Sequence, residues 1–346
     1  MKHVLRVLAG PTAFEHIRQQ GLNADDINVM VGASGGPKWF SLFGLDQYLF
    51  GEFFAGRQKP LHLLGSSAGA WRFACFAQDD PVAASQRFCR AYSTITYPAG
   101  SDTSQVTEIS ARIIDDVFPD ERYVQQVINN PVIKLNLVVA RARRLTQARN
   151  KLLQAGGLTL AATANLFSRR YLNHFFQRVL FHAPGTEAPF YHAGILPTEH
   201  VALSTDNLRQ AVLASGSIPL VLNPVVNIPQ AANGLYYDGG ITDYHFDLPF
   251  SPDGLVLYPH FYAGIIPGWF DKSLKWRRPA RANLHNVILV CPSTEWVQSL
   301  PYGKIPDRAD FKLPDAHRIN YWQTVIARSA ELAEAFSKGQ YQLEPL

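Results

Sequence analysis

The sequence predicts an α/β fold of three layers, a mostly parallel central sheet with helices on both faces. Short apolar runs ending in Gly or another small residue recur along the chain, as buried strands do. Segments of helical periodicity lie between them, and strands alternating with helices build a sheet covered on both faces. With 346 residues, 47% of them hydrophobic and 17% charged, the chain can bury a core of that size.

Taken in order, the first predicted strand is 27–32, followed by a helix over 40–54. A strand over 61–65 runs straight into a helix over 68–78, and two more helical patterns cover 83–95 and 106–117. Strands follow at 132–140 and 201–204, then a helix over 207–214 with Asp206 as its expected N-cap. The last predicted strand is 287–291; 301–314 reads as a surface loop leading into a helix over 316–337. No repeat and no low-complexity tract interrupts the pattern. The expected organisation is one domain over 1–346, with a core at about 27–291, a basic apolar insertion at about 141–183 and a C-terminal helical extension at about 315–346.

Cys75, Cys89 and Cys291 lie far apart with no CxxC pair, which argues against a disulfide framework or a zinc site. A reducing, cytoplasmic setting with no cofactor and no metal is the expectation. The first residues do not read as a secretory signal, since Arg6, Gly10 and Pro11 break the apolar part. No stretch reaches the roughly 20 uninterrupted apolar residues that span a bilayer.

Three motifs carry the chemistry. Gly65-Ser66-Ser67-Ala68-Gly69 sits between a strand and a helix, the setting a GxSxG nucleophile elbow needs. A tight turn demands neighbours without bulk, and the helix that follows aims its N-terminal N–H groups at the place where charge develops. Ala33-Ser34-Gly35-Gly36-Pro37-Lys38-Trp39 also joins a strand to a helix. Its adjacent glycines expose N–H groups as an oxyanion hole requires. A phosphate-binding P-loop would need Gly directly before the Lys and Ser or Thr after it, and Pro37 and Trp39 stand there instead. Tyr236-Tyr237-Asp238-Gly239-Gly240 places an Asp at a strand end before a tight turn, a pattern that also suits an ordinary Asp-Gly turn.

In this order, together with Ala214-Ser215-Gly216-Ser217-Ile218-Pro219, the motifs resemble the patatin-like phospholipase family over roughly residues 27–243. The resemblance implies a Ser–Asp dyad without His, Ser67 as nucleophile and Asp238 as its base. Gly35 and Gly36 match the family's oxyanion-hole glycines, with Lys38 and Ala68 beside them, and Gly65 and Gly69 frame the elbow. It implies a lipid or ester substrate cleaved as by a phospholipase A or lysophospholipase. Two departures bear on the hole's donors: Ser34 replaces the first of the usual three glycines, and Trp39 a small residue.

Two other readings stay open on sequence. His245, His260 and His285 follow Asp238, so the order of an α/β-hydrolase triad is available. A non-catalytic lipid-binding protein could also keep the motifs' shape. Charge adds a partner. Residues 122–186 hold ten Lys or Arg and no Asp or Glu, although the net charge is only +4. Arg141, Arg143, Arg144, Arg149 and Lys151 precede a largely apolar stretch at 152–167, and Arg169, Arg170 and Arg178 follow it. The pattern suits peripheral contact with an anionic membrane at the inner face, and equally a buried helix or a lid over the site. No nucleic-acid motif accompanies the charge. Lipid class, acyl length and oligomeric state have no signal in the sequence.

Overall fold

The computed structural model describes residues 3–250 and 254–346. Eleven strands join one sheet: β1 (Leu5–Ala9), β2 (Ile27–Gly32), β3 (Leu61–Gly65), β4 (Ile133–Ala142), β5 (Phe176–His182), β6 (Thr198–Ala202), β7 (Val225–Val226), β8 (Leu235–Asp238), β9 (Leu255–Pro259), β10 (Val287–Pro292) and β11 (Gln342–Pro345). Helices α1 (Pro11–Gln20), α2 (Phe43–Tyr48), α3 (Ala68–Phe76), α4 (Pro81–Ser93), α5 (Thr103–Val117), α6 (Glu121–Asn129), α7 (Lys151–Phe167), α8 (Leu208–Ser215), α9 (Thr294–Gln298), α10 (Asp315–Arg328) and α11 (Ala330–Ser337) flank it.

The sheet order is β11-β1-β10-β9-β2-β3-β4-β5-β6, with β8 pairing β4 and β7 pairing β8. Its middle, β10-β9-β2-β3-β4, is parallel throughout. Antiparallel pairs occur where β1 meets β10, β5 and β8 meet β4, and β7 meets β8. The middle strands are covered on both faces, so β3 and β10 are buried at every residue; β10 reads as an unbroken apolar run, and β3 as one interrupted only by the buried His62. Gly32 stands opposite Gly65, so β2 and β3 end side by side and deliver their following loops to one place. Val139 of β4 stands opposite Asp238 of β8, which brings the third motif to the same end of the sheet.

The predicted strands at 27–32 and 61–65 are the observed β2 and β3. The strand expected at 201–204 is β6, begun earlier at Thr198; Leu203 leaves the ladder and its N–H bonds to His182 O instead. Asp206 is not the cap of α8. The N-cap position belongs to Asn207, whose Oδ1 accepts from Ser204 N and whose Nδ2 donates to Ala202 O. The helix expected over 316–337 breaks at Ser329, whose Oγ accepts from Gly44 N at 2.8 Å. Any side chain on Gly44 would meet the Ser329–Ala330 backbone at 2.5 Å, so the break seats α10 and α11 against α2. The sheet also extends beyond the expected core, since β1 and β11 form its edge. The 301–314 loop holds two 3-10 turns, Pro301–Gly303 and Arg308–Lys312, and the second reaches the site. No helix among the described residues is long and apolar enough to cross a membrane.

Candidate active site

Ser67 occupies the turn between β3 and α3 with φ 53° and ψ −127°, a conformation that a side chain adopts only under constraint. The constraint is packing. A Cβ on Gly69 would lie 2.0 Å from Gly32 O, and one on Gly65 would lie 2.6 Å from Ala70 N. Both flanking glycines are therefore required by close approach, as the elbow pattern predicts. Ser215 completes the support: its Oγ accepts from Ser67 N at 2.9 Å and donates to Val138 O at 2.9 Å.

The Ser67 hydroxyl donates to Asp238 Oδ2 at 2.8 Å, and Asp238 Oδ1 accepts from Gly240 N at 2.7 Å. Both side chains are nearly inaccessible. Burial pushes the Asp238 carboxyl above its ordinary range, and the Arg308 guanidinium offsets part of that rise. Gly36 takes φ +53°, which turns the chain after β2. Among the described residues the N–H groups of Gly35, Gly36 and Ala68 donate to no other protein atom, and all three residues line cavities shared with Ser67. The Lys38 N–H donates to Gly35 O at 3.4 Å, so its contribution to the cavity is its side chain.

Both sequence departures have a structural reason. Ser34 Oγ lies 2.7 Å from Ser66 Oγ, and Ser66 Oγ donates to Asp243 O at 2.7 Å. One hydroxyl pair thus ties the glycine loop, the elbow and the segment after Asp238 together. Trp39 turns into the core, fully buried and stacked on Phe88 at 4.6 Å. The histidines lie elsewhere. His245 Nδ1 accepts from Ile266 N, His260 Nδ1 contacts Tyr262 O, and His285 Nδ1 faces Thr12 Oγ1. None of the three bonds Ser67 or Asp238, and burial holds His260 down at about 4 and His245 far below its ordinary value.

Sequence reasoning missed Tyr244, Trp269, Lys272, Asp307 and Arg308, all of which line the Ser67 cavity. The last two belong to the loop expected to be mere surface. Among the described residues no group of His, Cys, Asp and Glu is arranged to hold a metal ion.

A sequence model of patatin-like phospholipases matches residues 30–246, nearly two thirds of the chain. The chain belongs to the patatin-like phospholipase family. All three motifs lie inside the matched segment. No curated protein matches. Among solved structures the chain is similar to VipD from Legionella pneumophila at 14% identity and a TM-score of 0.32, over 76% of this chain. It spans about half of the VipD chain, 54%.

Proposed function

We propose that this patatin-like protein is a serine acyl hydrolase that cleaves carboxylic esters of lipids through a Ser67–Asp238 dyad, carried by one domain spanning 1–346. The observation that carries the reading is the 2.8 Å bond from Ser67 Oγ to Asp238 Oδ2 at a strained elbow. Asp238 takes the Ser67 proton as Oγ attacks the ester carbonyl carbon. The oxyanion receives the free N–H groups of Gly35, Gly36 and Ala68, with the Lys38 ammonium adding to the field. The tetrahedral intermediate collapses, the ester C–O bond breaks, and Asp238 returns the proton to the departing alcohol. Water then gives a proton to Asp238 as its oxygen attacks the acyl carbon. Collapse of the second intermediate frees the acid and restores the Ser67 hydroxyl.

A raised carboxyl pKa suits this work, since a carboxylate at its ordinary value is a weak base near neutrality. A histidine triad has no support in the geometry, because the three candidate rings bond elsewhere. A fluorophosphonate probe tests the reading against a non-catalytic one. Labelling of wild type but not of Ser67→Ala is expected; no labelling of folded wild type would leave only a lipid-binding role.

We further propose that the insertion meets an anionic membrane peripherally. Helix α7 seats Leu158 and Ala161 inward and leaves Leu152, Leu153, Leu160, Leu166 and Phe167 exposed, Leu152 and Phe167 at 83% and 80%. Arg144, Arg149 and Arg170 are exposed nearby. Arg141, Arg169 and Arg178 do not serve as headgroup cations, since they pair with Glu199, Asp271 and Asp243. Lys151 at the start of α7 bonds Thr103 of α5, and Asn223 bonds Ser104 and Thr107 of the same turn. The exposed Leu220 and Val221 therefore share a rim with Leu152 and Leu153, beside a cavity that Val221 lines. Three free, buried cysteines agree with a reducing, cytoplasmic setting.

A further inference from the structure

Ser67 stands where two cavities meet. One, of about 390 Å3, is walled largely by apolar side chains such as Trp71, Phe88 and Ile113. The other, of about 210 Å3, holds two carboxylates, Asp238 and Asp307, and the cations Lys38 and Lys272. Three residues line both cavities: Ser67, Ile218 and Arg308. An ester attacked by Ser67 has its reacting carbonyl at this junction, whichever half each cavity receives. Arg308 is the one charged residue of the three.

A fixed turn delivers it. Arg308 opens the 3-10 turn Arg308–Lys312, and Asp307 caps that turn by accepting from the Ala309 N–H at 2.7 Å. The buried Asp310 carboxylate accepts from Lys304 Nζ at 2.5 Å, Asp307 N at 2.8 Å and Trp322 Nε1 at 3.0 Å, which clamps the turn to α10. The carboxylates around Arg308 are thus engaged elsewhere: Asp310 by Lys304, Asp307 by Ala309 N and by Lys304 at 3.5 Å, Asp238 by Ser67 and Gly240. Among the described residues the Arg308 side chain donates to no protein atom and has no carboxylate within ion-pairing distance. Its stem lies against the glycine loop, where a Cβ on Gly36 would meet Arg308 Nε at 3.4 Å and Cγ at 3.8 Å. The Ser34 N–H, at the start of the same loop, is spent on Tyr244 O at 2.9 Å. The field of Arg308 reaches both cavities: burial raises the Asp238 carboxyl on one side and the Tyr92 hydroxyl on the other, and Arg308 pulls both back down.

We propose that Arg308 is a catalytic residue whose guanidinium donates to the oxyanion formed when Ser67 attacks, completing a hole otherwise built from the N–H groups of Gly35, Gly36 and Ala68. This rests on Ser67 being the nucleophile. As the Ser67 proton passes to Asp238, negative charge leaves the carboxylate and appears on the carbonyl oxygen. A cation at the junction serves the charge in both places, and with no fixed partner it breaks no ion pair to do so. The planar guanidinium also offers several N–H donors in a fixed fork, which a point charge such as Lys38 does not. Arg308 lies beyond residue 246, so a loop outside the matched segment would supply part of the chemistry.

The test uses p-nitrophenyl butyrate, a neutral ester on which attraction of a charged substrate plays no part. Arg308→Gln should lower kcat and kcat/KM together by roughly 10²-fold, the scale of one lost oxyanion donor, with KM changed by no more than about twofold. The loss should persist at pH values well above the acid limb, where Asp238 is ionised in wild type and variant alike. Arg308→Lys, which keeps the charge and loses the fork, should fall between the two. Arg308→Ala should regain activity severalfold in methylguanidinium, an additive that leaves wild type unchanged; a merely structural role would not be rescued. A wild-type kcat in Arg308→Gln once the pH clears the acid limb, or a loss confined to KM, overturns the proposal and leaves the dyad intact. Hydrolysis that survives Ser67→Ala overturns the dyad itself.

Discussion

At the scale of single residues, the Ser67 hydroxyl and the Asp238 carboxylate have no substitute within hydrogen-bond reach. Ser67→Ala should lower hydrolysis of p-nitrophenyl esters roughly 10³-fold or more while the circular dichroism spectrum stays unchanged. Asp238→Asn keeps the shape and removes the base, so its loss should approach that of Ser67→Ala; a mild effect would remove Asp238 from the mechanism. The direction of the carboxyl shift adds a pH test. Asp238 must be ionised to accept a proton, and burial raises its pKa. The acid limb of kcat/KM should therefore fall at a pH above the ordinary aspartate range, and Arg308→Gln should move it higher still by removing an offsetting cation. Lys272 lines the same cavity. Its pKa is pushed down to about 8 by burial, Arg308 and Lys38, against the pull of Asp238, so it is charged below that pH and neutral above it.

At the scale of elements, helix α7 has two faces with different roles. Gln154 reaches inward to the Tyr237 hydroxyl, and Asn165 donates to Asp271 at 2.6 Å. The first bond ties the helix to the segment that carries Asp238 and the second to the turn Trp269–Asp271, so α7 is a fixed wall. Its outward leucines and Phe167 stay about half exposed or more, which is why the proposal gives them to a membrane surface. Replacing Leu152 and Phe167 together by Asp should reduce co-sedimentation with anionic vesicles severalfold. Hydrolysis of vesicle-borne lipid should fall by more than hydrolysis of a soluble ester. Wild-type binding that ignores both lipid charge and salt would remove the docking role from this helix.

At the scale of the whole molecule, the helices behind the site are locked by charge. Arg72, one turn into α3, makes two bonds to Asp46 of α2, at 2.7 and 2.6 Å, with both side chains fully buried. The pair joins the helix that follows Ser67 to the helix that follows the glycine loop. Asp46→Ala would leave the guanidinium buried and unpaired, at a cost of about 3–5 kcal/mol. Urea unfolding should show that loss as a lower midpoint, and a change under about 1 kcal/mol would mean that water reaches Arg72.

The residues whose role depends on their immediate neighbours were legible in the sequence. Gly65, Ser67 and Gly69 must pass through one tight strand-to-helix turn, so sterics over five positions force the pattern. Gly35, Gly36 and Asp238-Gly239-Gly240 are held by turns of the same kind, and the buried parallel strands leave their apolar runs beside them. What only the tertiary structure decided is everything that meets by arrival in space. Ser34 and Ser66 are 32 residues apart and touch because β2 and β3 end together. Ser329 breaks the last long helix because Gly44, 285 positions away, needs its hydroxyl and its room. Arg141 and Arg178 looked alike with Arg149 and Arg170, and only packing separates the paired from the exposed. Lys272 and Arg308 carry no local mark at all. A cation acts through its field, which constrains no neighbouring residue, so its sequence context reads the same whether it faces solvent or a nucleophilic serine.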